Sequence, residues 1–232
     1  YERNADVATT RLTQEDATLD GVSDLLIRFN ELAIQGNNTT LDAQSRATIS
    51  QEVRQLLDEL VSLANAKDTN GEYIFAGDAV TTQPITEAPA GTFNYNGDNG
   101  QRNLQIGATR QIAIADAGDD VFVNIPFSGG GTQNIFQTIY DFATGLEANI
   151  PPGNTVLQDI QSALDHMSGV RARVGARLNA IDGHRLLNQD MIFQSQQTIS
   201  QIEDLDMAEA VSRLNLQMVG LQASQQAFTR IQ

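Results

Sequence analysis

The sequence predicts a mainly α protein, an elongated helical bundle into which a small antiparallel β domain is inserted. Three observations point there. From Thr155 to Gln232 there is no proline, and apolar residues recur in steps of three, four or seven that keep one helical face. Two more stripes of this kind lie near the amino terminus. Between the helical ends, residues 78–126 are rich in Thr, Gly, Asn, Asp and Pro and alternate in short segments. Aromatic residues make up 6% of the chain and tryptophan is absent, which suits long bundles cored by Leu, Ile, Val and Ala.

The first stripe runs Leu12, Leu19, Val22, Leu26, Phe29, Ala33, widened by Leu25 and Leu32, and Gly36 with Asn37 stops it. Thr39 or Thr40 is expected to cap a second helix, whose stripe is Ile49, Val53, Leu56, Leu60, Leu63, widened by Leu57 and Val61. It ends within Lys67–Gly71, where Asp68-Thr69-Asn70-Gly71 is a turn signal. Two such helices joined by a short loop read as an antiparallel hairpin.

Glu72–Phe75 is a short β-prone run closed by Gly77. Thr92–Tyr95 is expected to face Arg102–Ile106 across Gly97-Asp98-Asn99-Gly100, with further strands at Gln111–Ala115 and Asp120–Val123. This unit reads as a decoration on the helices. Ser128–Gly131 reads as a hinge, and Thr132 as the cap of a helix carrying Ile135, Phe136, Ile139, Phe142 and Leu146. Pro151 and Pro152 end it.

The terminal helix opens on a capping signature, Thr155 with Gln158 three residues on. Its stripe is Ile160, Leu164, Met167, Val174, Leu178, Ile181. A polar stretch follows with Ile192, Ile199 and Ile202 in phase, and the pattern restarts at Met207, Val211, Leu214, Met218, Leu221 and Phe228. Unbroken, it would be roughly 110 Å long at about 1.5 Å per residue. One small domain does not cover such a rod, so partner helices are expected, some on other chains. Gly169, Ala172, Ala176 and Ala180 make a small-residue stripe for close packing, and Gly183 marks an expected kink.

A net charge of −15 argues against polyanionic partners, nucleic acid and anionic membrane alike. The absence of cysteine excludes disulfides, thiolate metal sites and cysteine nucleophiles. No run of about 18 apolar residues is present to span a bilayer. The chain starts at Tyr1 without an initiator methionine, as a trimmed piece would.

Chemistry is sparse. His166 and His184 lack ligand spacing and are expected to face solvent. Asn94, Asn96 and Asp98 echo a calcium loop, but the glycine falls at the seventh position and Gln105 stands at the twelfth, so a turn-rich hairpin explains them better. Asp116, Asp119 and Asp120 read as a solvated loop. Gly129-Gly130-Gly131 has no following Lys-Ser/Thr and is no phosphate loop. Arg171, Arg173, Arg177 and Arg185 are expected to pair with carboxylates such as Glu52, Asp58 or Glu59. No nucleophile, base and orienting group assemble, and neither a cofactor nor a metal site is expected.

The helices resemble a known family. Leu25-Leu26-Ile27-Arg28-Phe29-Asn30-Glu31-Leu32-Ala33-Ile34-Gln35 is similar to the amino-terminal helix motif of the flagellin family, as is the stretch from Asn38 through Ile49-Ser50-Gln51-Glu52 to Leu60. Ala163-Leu164, Val170–Asn179 and Ile202–Glu209 resemble its carboxy-terminal signature. Asn70-Gly71-Glu72-Tyr73-Ile74-Phe75-Ala76-Gly77 resembles the Gly-x-Tyr-Leu-Phe-x-Gly motif of the family's hook–filament junction branch, with Pro84-Ile85 where that branch often has Pro-Phe.

The resemblance implies a flagellin-like helical rod domain from residues 1–77 and 127–232, with 78–126 as an inserted β-rich outer domain. It implies a structural, non-enzymatic subunit of the bacterial flagellum, exported unfolded through the flagellar type III channel to the cell exterior. Its implied partners are further copies of itself in a ring, hook-associated protein 1, flagellin, and an export chaperone on the carboxy-terminal helix. A minor flagellin of the filament is the alternative, and a flagellin-derived enzyme or glycan-binding module acting through residues 78–126 a second one.

Packing faces are expected on Leu19, Val22, Leu26 and Phe29 of the first helix and on Ile49, Val53, Leu56 and Leu60 of the second. Arg171 and Arg177 join them, with Met207, Val211, Leu214, Met218, Leu221 and Phe228 towards the end. The resemblance also implies that the usual mates of the last helix lie outside Tyr1–Gln232, so fraying, disorder or pairing with a neighbour is expected beyond about Ile199. Arg28, Glu31 and Glu59 match positions by which an innate immune receptor recognises some flagellins, while Asn30 departs from the arginine often found there.

Overall fold

The structure, a computed structural model, describes residues 1–89 and 91–231, with the side chains of residues 203–206, 208 and 231 left out of the description. It divides into two compact units, Tyr1–His184 and Arg185–Gln232. The helices are α1 (Glu2–Gly36), α2 (Ala43–Ala64), α3 (Ile135–Glu147) and α4 (Gly153–Ile231), and α4 contributes residues to both units. Between α2 and α3 the described residues form six short strands, β1 (Ile85–Ala88), β2 (Thr92–Tyr95), β3 (Asn103–Gln105), β4 (Gln111–Ala113), β5 (Ile125–Pro126) and β6 (Thr132–Gln133).

In the first unit the apolar stripes do what their period requires. Leu12, Leu19, Val22, Leu26, Phe29 and Ala33 of α1 are buried, and the same face continues to Ala8 and Ala5 before the expected start. Contacts between α1 and α2 run in opposite order along the two helices: Gln14 to Lys67, Gly21 to Leu63, Arg28 to Glu52. The pair is therefore an antiparallel hairpin. On α2 Leu57 takes the inner position and Leu56 is half-buried. Ser50 of α2, fully buried, donates to the carbonyl of Ala143 at 2.9 Å and so ties α3 to the hairpin. Ile160, Ala163, Met167, Val170, Val174 and Ile181 close the core from α4. The small-residue stripe lies elsewhere: Gly169, Ala172 and Ala176 are exposed, and α4 stays helical through Gly183.

The caps differ from those expected. Asp42, not Thr39 or Thr40, accepts the N–H of Ser45 at 2.7 Å and starts α2. Asn134 starts α3 by accepting the N–H of Phe136 at 3.0 Å, while Thr132 sits in β6. Aspartate and asparagine cap as well as threonine, so a string of such residues leaves the choice to tertiary packing. α4 begins two residues before Thr155.

Strand pairing also differs. Thr92–Tyr95 pairs with Ile85–Ala88, not with residues 102–106, and Asn103–Gln105 pairs with Gln111–Ala113. Each strand takes its nearest sequence neighbour, which costs least in loop-closure entropy. Residues Asp119–Val123 form a single π-helical turn, not a strand. Val121 and Phe122 are both fully buried there, and adjacent strand residues point to opposite faces, so a strand would expose one. Ser128–Gly131 closes the β5–β6 hairpin with a Phe127 N–H to Gly131 carbonyl bond of 3.1 Å, a tight turn where a hinge was expected. Residues of this region share one hydrophobic core with the helices: Phe122 packs on Phe75 and Phe136, and Phe93 on Phe136. It is built into the first unit, not laid on as a decoration.

Candidate assembly surfaces

The turn after α2 is the joint between the helical hairpin and the inserted region. Asp68 folds it, its carboxylate accepting the N–H groups of Asn70 and Glu72 at 2.8 and 3.0 Å. Arg11 of α1 reaches Asp68 at 2.9 Å and Glu72 at 2.6 Å, and Arg102 of the insert meets Glu72 at 3.0 Å. Hydrogen bonds from Arg11 and then Arg102 hold the Glu72 carboxyl below its ordinary range. The Phe75 ring packs edge-on against Phe122 at 5.1 Å, and its carbonyl accepts from Tyr95 Oη and Gly118 N–H. Burial pushes the Tyr95 hydroxyl up to about 12. Gly77 ends the turn with φ at 67°, and a Cβ there would lie 2.2 Å from the Asp98 carbonyl oxygen. Only glycine fits both conditions.

A second belt fixes α4. Arg171 reaches Asp16 at 3.1 Å and Asp20 at 2.6 Å on α1. Arg173 meets Asp120 at 2.6 Å, and Arg177 holds Asp116 with two bonds of 3.0 and 2.7 Å. The arginines thus find carboxylates, but not the ones expected: Glu52 pairs with Arg28, while Asp58 and Glu59 are exposed. Spacing alone does not say which helix lies across from α4.

Other expectations are also corrected. Both histidines are only partly open to solvent. His166 Nε2 lies 2.7 Å from the Asp120 carbonyl oxygen, and His184 packs beside Gly107, both rings half-buried. Of the expected solvated loop, Asp120 is exposed, whereas Asp116 is buried and Asp119 is half-buried, accepting from the side-chain amides of Asn99 and Asn124. Asp98 accepts backbone N–H groups of Asp78 and Gly100, and Asn96 donates to Thr86, which makes them turn residues. Among the described residues, no group of three or more His, Asp or Glu side chains is placed to hold a metal ion. Arg28 is engaged with Glu31 at 2.7 Å and Glu52 at 2.6 Å.

The expected packing faces separate into two groups. Leu19, Val22, Leu26, Phe29, Ile49, Val53 and Leu60 are consumed by the chain's own core and offer nothing to another molecule, with Leu56 half-buried at its margin. Arg171 and Arg177 are taken by the internal pairs just described. The residues left open belong to the second unit: exposure runs from 52% at Val211 to 68% at Phe228, with Met207, Leu214, Met218 and Leu221 between. Leu186, Leu187, Met191 and Phe193 are equally open, in a stretch read from sequence as polar. Their density was the missed signal. The described residues beyond Ile199 are helical, the form in which they could pair with a neighbouring helix.

A first unit closed around its own hydrophobic core, and a second that leaves a long run of large apolar side chains uncovered, define a class: a helical subunit of a larger assembly. Comparison with known proteins makes the class specific. The model of the bacterial flagellin N-terminal helical region matches residues 1–79, and that of the bacterial flagellin C-terminal helical region matches residues 157–232. The chain belongs to the flagellin family. It is 28% identical to flagellar hook-associated protein 3 of Escherichia coli (strain K12), over 97% of this chain and 76% of that one. The protein of the same name from Salmonella typhimurium is 25% identical over the same shares. In fold it is similar to the crystal structure of flagellar hook associated protein-3 from Legionella pneumophila, with a TM-score of 0.81, 23% identity, and 88% and 95% of the two chains covered.

Proposed function

We propose that this chain is the structural junction between the hook end and the filament of a bacterial flagellum. The observation that carries the reading is the likeness to hook-associated protein 3 of two organisms, at 28% and 25% identity along 97% of the chain. The Asn70–Gly77 joint supports it, because this is where the insert is anchored to the hairpin. The subunit acts by packing and has no catalytic step. Copies of it form a ring between hook-associated protein 1 and the first flagellin subunits, outside the cell, after export through the flagellar type III channel. The uncovered apolar side chains of the second unit are what an export chaperone holds before assembly and what neighbouring helices cover afterwards.

The experiment is a strain lacking the gene, complemented with the full-length gene and scored for attached filaments. Secretion of unattached flagellin from the deletion strain, with attachment restored on complementation, is the expected result. The family's filament proteins supply the second reading, a minor flagellin. Purified full-length protein polymerising alone into long filaments, with attachment unaffected in the deletion strain, would decide for it.

A further inference from the structure

One acid, Glu15 of α1, is fully buried inside the first unit, and its Oε1 accepts the backbone N–H of Asp116 at 2.9 Å, the point where the inserted region crosses α1. Its other oxygen, Oε2, is buried without a hydrogen-bond partner. The charged groups around it are already committed. From the insert comes Asp116, 4% exposed and held by Arg177 and by Gln101. From α4 come Arg177 itself and Arg173, the latter on Asp120. On α1, Arg11 is turned to Asp68 and Glu72, and Asp16 to Arg171. Arg177 and Arg173 ease the Glu15 charge only from a distance, none of the described cations bonds its Oε2, and the Asp116 carboxylate repels it.

We propose that Glu15 is a proton-dependent latch: uncharged, it holds the Asp116 segment against α1, and loss of its proton releases residues 114–123 from that helix. Buried without a counter-ion, the carboxylate form costs far more than the acid. Desolvation, then the Asp116 charge, raises this carboxyl from 4.5 to about 8. The released segment carries the π-helical turn and Phe122, so opening the latch loosens the insert's hold on Phe75 while the α2–α3 contact, sealed by Ser50, stays closed.

Hydrogen exchange of the Asp116 amide in the full chain tests this, corrected for the intrinsic rate and followed across pH. If the open state titrates normally, the opening constant rises about tenfold per pH unit between 4.5 and 8 and levels off above. In Glu15→Gln, which keeps the acceptor and cannot ionise, the constant stays flat. An equal rise in wild type and variant overturns the latch. Should the variant fail to fold, the wild-type chain decides: a Glu15 carboxyl midpoint near 8 by carbon NMR together with Asp116 exchange that rises up to that midpoint upholds the proposal, and a midpoint near 4.5 or pH-independent opening at Asp116 overturns it.

Discussion

Single residues here act through what their removal leaves behind. Arg177 holds Asp116, which is 4% exposed, so Arg177→Ala strands a buried carboxylate beside Glu15 and is expected to cost about 3–5 kcal/mol in chemical denaturation. The exposed Arg213–Glu209 pair is a helical neighbour pair, and Arg213→Ala is expected to change stability by less than about 0.5 kcal/mol. Acid and alkali act in opposite senses. Glu15 binds its proton more tightly folded than unfolded, so its contribution is fully present below 4.5 and is lost as pH rises to about 8. Glu72 and Glu147 are held below their ordinary values by hydrogen bonds from Arg11 and Arg54, so their contributions are present above that value and are lost as pH falls beneath it. Thermal midpoints should therefore climb as pH is lowered from about 8 towards 4.5 and then drop. A flat profile across that span would contradict the burial of Glu15.

At the scale of elements, the helices were legible because their signal is periodic and local. Leu19, Val22, Leu26 and Phe29 needed only the helix repeat to be placed inside. The short strands were not legible, since three or four residues carry too little alternation to fix a register, and Pro84 and Pro89 hid β1 between them. Arg171 and Arg177 were read as paired, but their true partners lie 155 and 61 residues away, a distance that no local pattern encodes. The Asn70–Gly77 joint shows what such an element depends on. Gly77→Ala must hold an L-residue at φ 67° with its Cβ against the Asp98 carbonyl, so the turn has to rebuild. Phe75→Ala empties a fully buried site against Phe122 and is expected to cost about 3–5 kcal/mol. Both variants should lose amide protection in residues 92–123 before the α1–α2 hairpin opens, and simultaneous loss across the first unit would show the joint to be inseparable from the hairpin.

The whole molecule combines a self-sufficient unit with one that is not. Every described residue of the hydrophobic core lies at or before Ile181, so the first unit carries a core of its own. A chain ending at His184 should therefore unfold with the thermal midpoint of the full protein. The second unit inverts that logic. An isolated helix gains little from propensity and depends on an apolar face being covered. Covering six side chains of the size of Val211, Leu214, Met218, Leu221, Met207 and Phe228 is worth on the order of 10 kcal/mol as an upper bound. On the proposed function, that energy is realised when neighbouring subunits cover the face. Leu214→Asp with Leu221→Asp should leave the thermal midpoint of the first unit unchanged and abolish filament attachment in the complemented strain. If the doubly charged protein still anchors filaments while remaining exported, the open face of the second unit is not what neighbouring subunits grip, and assembly must run through the first unit's surface instead.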